Sequence, residues 1–167
     1  TQNLAATQPL RRTRPETKFF PDAPLAGLRV IELAWVWSGP MVGQLLADLG
    51  AEVIKVERLG HGDDTRGWGP PFVTDKEGNR AVSAYFLTAN RSKKSLALDI
   101  SSSGGQEVVR ALAKKSDVLV ENFKVGALAR RGLGPDDLRA ANPALVYVSI
   151  TGFGQTGPMA DQPGYDY

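Results

Sequence analysis

Side chains that can bind a charged or flat ligand follow directly on apolar stretches of this sequence. Arg58 comes after the stretch 52–57, and Asn122 and Phe123 come after 117–121. A guanidinium group at the end of a strand suits a phosphate, and an amide beside an aromatic ring can hydrogen-bond to a ligand and pack against it. Taken alone, Arg58 is more typical of a solvated surface, and Asn122 with Phe123 fits the start of a turn equally well.

Two tryptophans and an aspartate extend this set. Trp35 and Trp37 follow the stretch 28–33. In extended chain they would share one face, where they either pack into the core or line the mouth of a pocket. Asp166 has a tyrosine on each side, and a carboxylate near aromatic rings can have its pKa tuned for chemistry. His61 is expected to be solvent-exposed or locally bonded, and Asp63, Asp64 and Asp161 are expected to be solvated loop acids.

These residues need elements that position them, and the sequence alternates strand and helix patterns. Apolar runs rich in β-branched residues predict strands at 28–33, 52–57, 95–99, 117–121 and 145–150. Periodic segments predict helices at 40–49, 104–115, 126–131 and 135–141, with a long loop at 59–80 and a short helix or extended segment at 81–89. This order predicts an α/β fold, a Rossmann-like parallel sheet with helices on both faces, which binds ligands beyond the carboxyl ends of its strands.

The helix patterns also predict which faces are buried. In the first helix, Ser38 is expected to cap the amino end, and the inward face is expected to consist of Met41, Val42, Leu45, Leu46 and Leu49. In the helix at 104–115, the expected inward residues are Val108, Val109 and Leu112. Residues 1–24 are polar and contain prolines, which is typical of a flexible leader or linker, so the expected domain is 25–167.

Composition excludes several classes of protein. Of the 167 residues, 42% are hydrophobic and 23% are charged, and the net charge of +2 gives no bulk attraction to nucleic acid. The sequence has no cysteine and one histidine, so it contains neither a thiolate catalyst nor a multi-histidine metal site. No apolar stretch approaches a membrane span. The G-x-G-x-x-G, P-loop and G-x-S-x-G patterns are absent, which disfavours a dinucleotide or a serine hydrolase site. The default location is the cytoplasm.

An ordered set of motifs resembles the class III CoA-transferase family, which contains formyl-CoA:oxalate and carnitine CoA-transferases. The motifs are PLAGLRVIEL at 24–33, GP at 39–40, LADLGAEVIKVE at 46–57, GD at 62–63, TRGW at 65–68, NR at 90–91, KS at 94–95, DVLVENF at 117–123 and GFGQTGP at 152–158. Their order and number make the resemblance specific, and it covers nearly all of the chain from Pro24 onward.

The resemblance implies the N-terminal part of a Rossmann-like large domain, in a homodimer whose chains interlock. It implies coenzyme A and acyl-CoA as substrates, with no permanently bound cofactor. In this family an aspartate carboxylate attacks the thioester, and the resulting anhydride becomes an enzyme-bound CoA thioester before the acceptor acid reverses these steps. The nucleophilic aspartate of the family lies after the Gly-Tyr-Asp segment, which places it beyond Tyr167. Residues 1–167 alone are therefore expected to be inactive.

The same resemblance implies the site residues. Those matching the CoA-binding positions are Trp37, Ser38, Arg58, Leu98, Asp99, Ile100, Ser101, Asn122, Phe123, Lys124, Arg130, Gly164 and Tyr165. Asp166 matches an auxiliary catalytic position. The chain departs from some members at Trp37, where they carry glutamine, and at Ser101, where one carries lysine. No metal ligand is implied.

Two alternatives to the transferase stay open. A non-catalytic CoA-binding subunit or truncated relic would share the CoA-binding segments but lack the downstream aspartate. An acyl-CoA racemase would need a histidine followed by aspartate where this chain has Tyr165 and Asp166. The unperturbed pKa of a tyrosine is about 10, so Tyr165 is a poor near-neutral base and the racemase is disfavoured.

Overall fold

The structure is a computed structural model that describes residues 22–164. Most of the expected leader, together with Tyr165 and Asp166, lies outside the described residues. The strands are β1 (Arg29–Leu33), β2 (Glu52–Glu57), β3 (Phe72–Thr74), β4 (Arg80–Ser83), β5 (Lys93–Ala97), β6 (Val118–Glu121) and β7 (Val146–Ser149). The helices are α1 (Ser38–Asp48), α2 (Ala84–Asn90), α3 (Ser103–Ala113) and α4 (Pro135–Ala141).

Five strands form a parallel sheet in the order β5-β2-β1-β6-β7. Its two faces are covered by different helices, because alternate residues of a strand point to opposite sides. Ile31 and Leu119 pack with Val109 of α3 and Leu138 of α4 in one apolar cluster. On the opposite face, the second cluster holds Val30, Val53 and Val120 against Ala47 of α1. The predicted α/β fold with helices on both faces of a parallel sheet is confirmed.

The long loop predicted at 59–80 contains regular structure. Residues Asp64–Gly67 form a 3-10 turn, and β3 pairs antiparallel with β4 in a small hairpin. The segment predicted at 81–89 as helix or extended chain is the end of β4 followed by α2. The helix predicted at 126–131 is reduced to a 3-10 turn at Ala129–Arg131. Short elements with few periodic residues leave too weak a pattern for sequence analysis to detect.

The predicted inward face of α1 is confirmed for Val42 and Leu46, which pack against the second cluster, and is wrong for Leu45 and Leu49. Leu45 and Leu49 are exposed at 57% and 46%, and the buried residues are Gly39, Pro40, Gly43, Gln44 and Ala47. At Gly43 the helix lies close to the buried side chains of Glu32 and Lys93, and a Cβ atom there would come within 1.8 Å of a Glu32 carboxylate oxygen. The prediction that Ser38 caps α1 is also wrong, since the cap position is Trp37 and no side chain caps it. In α3, Val109 is buried as predicted, whereas Val108 is exposed.

None of the helices between residues 22 and 164 is long and apolar enough to cross a membrane. In the same range no group of three or more histidine, cysteine, aspartate or glutamate side chains is arranged to hold a metal ion.

Candidate functional site

A cleft of about 430 Å³ opens beyond the carboxyl ends of β1, β2, β5 and β6. Its size falls in the usual range of small-molecule sites. The floor comes from the strand ends, including Leu33, Val56 and Glu57, and the walls come from the segments that follow the strands. The lining residues after the strands are Trp35, Arg58, Leu59, Leu98, Asp99, Ile100, Ser101, Phe123 and Arg131.

Two arginines belong to the lining of the cleft. The guanidinium of Arg58 lies 4.5 Å from the ring centre of Trp35 and forms an ion pair with Asp64. The guanidinium of Arg131 donates to the backbone oxygen of Ala127 at 2.7 Å, which fixes it at the end of its turn. Each arginine keeps further N–H groups for a ligand, because a guanidinium carries five. The pair can therefore receive an anion such as a phosphate.

Residues 98–101 form another part of the lining. Leu98 and Ile100 are half-buried against the core, while Asp99 and Ser101 are exposed. The carboxylate of Asp99 accepts hydrogen bonds from the Ser101 hydroxyl at 2.6 Å and the Ser101 backbone at 2.8 Å, and these bonds lower the pKa of Asp99. An ionised carboxylate held in this way can accept hydrogen bonds from hydroxyl or amino groups of a ligand.

Of the thirteen expected CoA-binding residues, six line the cleft, one lines a second cavity, five line neither of these, and one lies outside the described residues. Residues Arg58, Leu98, Asp99, Ile100, Ser101 and Phe123 line the cleft. Trp37 lines a different cavity, and the cleft lining does not include Ser38, Asn122, Lys124, Arg130 or Gly164. Tyr165 and Asp166 lie outside the described residues. The resemblance pointed to Arg130, whereas Arg131 lines the cleft, and adjacent arginines in one short turn gave no sequence signal that separates them.

The second cavity, of about 520 Å³, is aromatic. Trp37, Trp68 and Tyr85 form its walls, with the Tyr85 ring centre 5.1 Å from that of Trp37 and 5.5 Å from that of Trp68. The prolines Pro70 and Pro71 complete the apolar lining. Such a surface suits an apolar or planar group rather than a phosphate. Sequence analysis assigned no cavity role to Trp68 or Tyr85, because Trp68 lies in the segment predicted as a long loop and Tyr85 lies in the segment left as helix or extended chain.

The loop between β1 and α1 lies between the two cavities. The side-chain amide of Asn122 accepts a hydrogen bond from the Trp35 N–H at 2.9 Å and donates to the Trp35 carbonyl at 2.8 Å. Trp35 meets Phe123 edge-to-face, with ring centres 6.5 Å apart. Asn122 therefore holds the backbone of the loop, while Trp35 itself lies in the cleft.

Buried charges lie beneath this loop, on the α1 face of the sheet. The Lys55 ammonium contacts Glu32 at 2.8 Å and Asp63 at 2.9 Å and donates to the Ala34 carbonyl at 2.7 Å. The Lys93 ammonium contacts the second oxygen of Glu32 at 2.7 Å and donates to the Pro40 carbonyl at 2.8 Å. Burial raises the pKa of Glu32 against the opposing effect of the two lysines, and burial lowers the pKa of Lys93 to about 8.

The expectation that Asp63 is solvated is wrong. Its carboxylate is buried and accepts hydrogen bonds from the backbone and hydroxyl of Thr65, at 3.0 and 2.7 Å, besides its contact with Lys55. The glycine-rich loop around it suggested an exposed acid. The loop instead folds inward, and a buried carboxylate is stable only with several partners.

Another ion pair, between Glu57 and Arg66, lies at the carboxyl end of β2. Arg66 donates two hydrogen bonds of 2.7 Å to Glu57, which also accepts from the Ser95 hydroxyl at 2.7 Å and the Asp63 backbone at 2.9 Å. Burial acts to raise the pKa of Glu57, but these hydrogen bonds outweigh it and lower the pKa to about 2.

We expect the Glu57 ion pair to make the protein sensitive to acid. The folded-state pKa is below the ordinary value of 4.5, so the folded state binds fewer protons than the unfolded state between pH 4.5 and 2. The stabilisation is present above pH 4.5 and is lost as the pH falls toward 2. We expect roughly 2 kcal/mol, since Arg66 is partly exposed to solvent. Urea unfolding over this pH range should show that the free energy of unfolding of Glu57→Gln depends less on pH than that of wild type. The control Glu107→Gln, on the exposed side of α3, should keep the wild-type profile.

The fold and the cleft together define a class of protein. A parallel sheet with a ligand-sized cleft beyond its carboxyl ends, and with arginines in the lining of that cleft, is an arrangement found in α/β proteins that bind phosphorylated ligands. The sequence model of the family described as "CoA-transferase family III" matches residues 25–167. The chain belongs to CoA-transferase family III.

Two individual relatives of the chain carry the names of CoA-transferases. The chain is 55% identical to the succinate–glutarate CoA-transferase of Agrobacterium fabrum over 86% of its own length and 36% of that protein. It is 47% identical to the succinyl-CoA:glutarate CoA-transferase of Mus musculus over 99% of its length and 36% of that protein. A crystal structure of a CAIB/BAIF family protein from Brucella suis matches with a TM-score of 0.81 and 53% identity, over 86% of this chain and 37% of that one. The chain thus spans about a third of the length of these relatives.

Proposed function

We propose that this chain supplies the CoA-binding part of an enzyme that moves coenzyme A from an acyl-CoA to a free carboxylic acid. The observation that carries the proposal is the cleft beyond the strand ends, whose lining includes Arg58, Arg131 and residues 98–101. In the proposed complex the arginines bind the phosphates of the nucleotide end. The half-buried Leu98 and Ile100 pack against the adenine, and Asp99 accepts hydrogen bonds from amino or hydroxyl groups of the nucleoside.

The other end of the acyl-CoA is proposed to reach the aromatic cavity at Trp37. The two cavities are lined by residues of the same loop, Trp35 in one and Trp37 in the other, so one extended ligand can contact both. The apolar walls around Trp37 offer a surface on which an acyl group can pack. On the family resemblance alone, Asp166 remains the candidate auxiliary acid.

The chemistry in this proposal is nucleophilic catalysis by a carboxylate located beyond Tyr167. That aspartate attacks the thioester carbonyl, and the C–S bond breaks to release CoA thiolate and leave a mixed anhydride. The thiolate then attacks the aspartyl carbonyl, which frees the donor acid and leaves an aspartyl-CoA thioester. The acceptor carboxylate runs these steps in reverse. The names of the relatives make succinyl-CoA and glutarate the first donor and acceptor to assay.

Removing either cleft arginine is expected to weaken CoA binding. In the full-length protein, Arg58→Ala and Arg131→Ala should each raise the Kd for CoA about tenfold, because each loses a charge-assisted hydrogen bond to phosphate. Isothermal titration calorimetry measures this directly. The control is Arg91→Ala, an exposed arginine paired with Asp48 just before the amino end of β5. A Kd that is unchanged in both cleft variants, or raised equally in the control, would contradict the proposed cleft. Arg130→Ala in the same series tests the neighbour that the resemblance favoured.

A further inference from the structure

Val36 has an unusual backbone conformation between the two tryptophans. Its φ angle is +69°, in the left-handed region that β-branched residues rarely adopt. A residue keeps such a conformation only when its surroundings hold it, and residues of this kind concentrate at functional sites. The contacts around Val36 therefore identify what holds the loop.

Three side chains from separate segments hold three consecutive residues of this loop. Lys55 donates to the Ala34 carbonyl at 2.7 Å, and Asn122 brackets both backbone groups of Trp35. Asp63 accepts the Val36 N–H, with its two carboxylate oxygens at 3.3 and 3.4 Å. Of the three side chains, Asp63 is the one that contacts the left-handed residue Val36 itself.

Asp63 is itself rigidly oriented. Its carboxylate is fully buried between the Lys55 ammonium and the two donors of Thr65, and its own N–H donates to Glu57 at 2.9 Å. A carboxylate surrounded in this way cannot rotate away from the Val36 N–H without losing charged and neutral partners. It is a fixed acceptor for a strained backbone.

The consequence is the separation of the two tryptophans. Residues two apart in extended chain point to the same side, but Trp35 lines the cleft beside Arg58, whereas Trp37 lines the aromatic cavity beside Tyr85. We propose that Asp63 is a positioning residue: by holding Val36 in the left-handed conformation, it directs Trp35 and Trp37 into the two cavities that the ends of one acyl-CoA occupy. The inference rests on the proposed function for the identity of that ligand.

The test is a double-mutant cycle between Asp63 and Val36 in the full-length protein, with CoA as the titrated ligand. Asp63→Ala should raise the Kd for CoA about tenfold, because the loop relaxes and Trp35 no longer faces the cleft. Val36→Gly alone should change the Kd less than twofold, since glycine adopts a positive φ readily. In the double variant the Kd should return to within about threefold of wild type. Rescue of this kind is not expected if Asp63 only stabilises the fold.

The milder variant Thr65→Val keeps the test decisive if Asp63→Ala does not fold. It removes one hydroxyl donor to Asp63 at nearly constant volume, and we expect a two- to threefold rise in Kd that Val36→Gly again reduces. A rise in Kd that is the same with and without the Val36→Gly substitution would overturn the positioning role while leaving CoA binding intact. Wild-type protein that does not bind CoA would overturn the proposed function and this inference together. Urea unfolding of each variant separates affinity from stability.

Discussion

Gly43→Ala is expected to reduce the free energy of unfolding by about 3 kcal/mol, which is large for the addition of one methyl group. A Cβ atom at Gly43 would lie 1.8 Å from a carboxylate oxygen of Glu32 and 3.4 Å from the Lys93 side chain. Neither neighbour can move freely, because Glu32 is buried and contacts both Lys55 and Lys93. The helix would have to rise from the sheet, or the buried ion pairs would have to separate.

A matched substitution in another helix isolates the steric effect. Gly104 lies in the first turn of α3, where a Cβ atom would meet no other atom within 4 Å. Because alanine has the higher helix propensity, Gly104→Ala should be neutral or stabilising by up to about 1 kcal/mol. Urea unfolding of both variants gives the comparison. If the free energy of unfolding of Gly43→Ala fell by no more than that of Gly104→Ala changes, α1 could move away from the sheet at little cost, and the steric prediction would be wrong.

The sequence was sufficient for the fold class but not for the chemistry of the sheet surface. The runs at 28–33, 52–57 and 117–121 are apolar enough to predict strands, and their alternation with helices predicts parallel order. The same runs contain Glu32 and Lys55, and a charged residue in a strand is normally assigned to a solvated edge. Only the register, which pairs Glu32 with Lys55 across neighbouring strands, reveals that the two charges neutralise each other inside the protein.

The candidate site was predictable where it follows strands and unpredictable where it depends on long-range folding. Arg58 comes directly after a strand, so the parallel-sheet rule predicts its place at the end of the sheet where the cleft opens, whereas residues 98–101 were indicated only by the family resemblance. Asp63 and Tyr85 belong to the segment 59–90, whose path over the sheet is set by contacts with α1 and the strand ends. No local pattern encodes that path, so an acid in a glycine-rich loop was expected to be solvated although it is buried.

Lys55→Met is expected to cost about 3–5 kcal/mol of folding free energy, because it leaves the carboxylates of Glu32 and Asp63 buried with fewer positive partners. Lys55 is 2% exposed and contacts both acids within 3 Å, and methionine fills a similar volume without the charge. The control is Lys94→Met, on the neighbouring strand β5. Lys94 is 70% exposed and pairs with Glu52, so its loss should cost less than about 1 kcal/mol.

The pH dependence of the stability lost in Lys55→Met, relative to wild type, distinguishes lost charge compensation from lost packing. Burial already raises the pKa of Glu32 above the ordinary 4.5, and removing Lys55 removes one of the contacts that oppose this rise. The folded variant therefore binds a proton at a higher pH than its unfolded chain does, and it gains stability relative to wild type as the pH falls from 7 toward 5. The acid effect at Glu57 is common to both proteins and cancels. If only packing were lost, the difference in unfolding free energy between wild type and Lys55→Met would stay constant with pH. An uncompensated carboxylate instead makes this difference smaller as the pH falls.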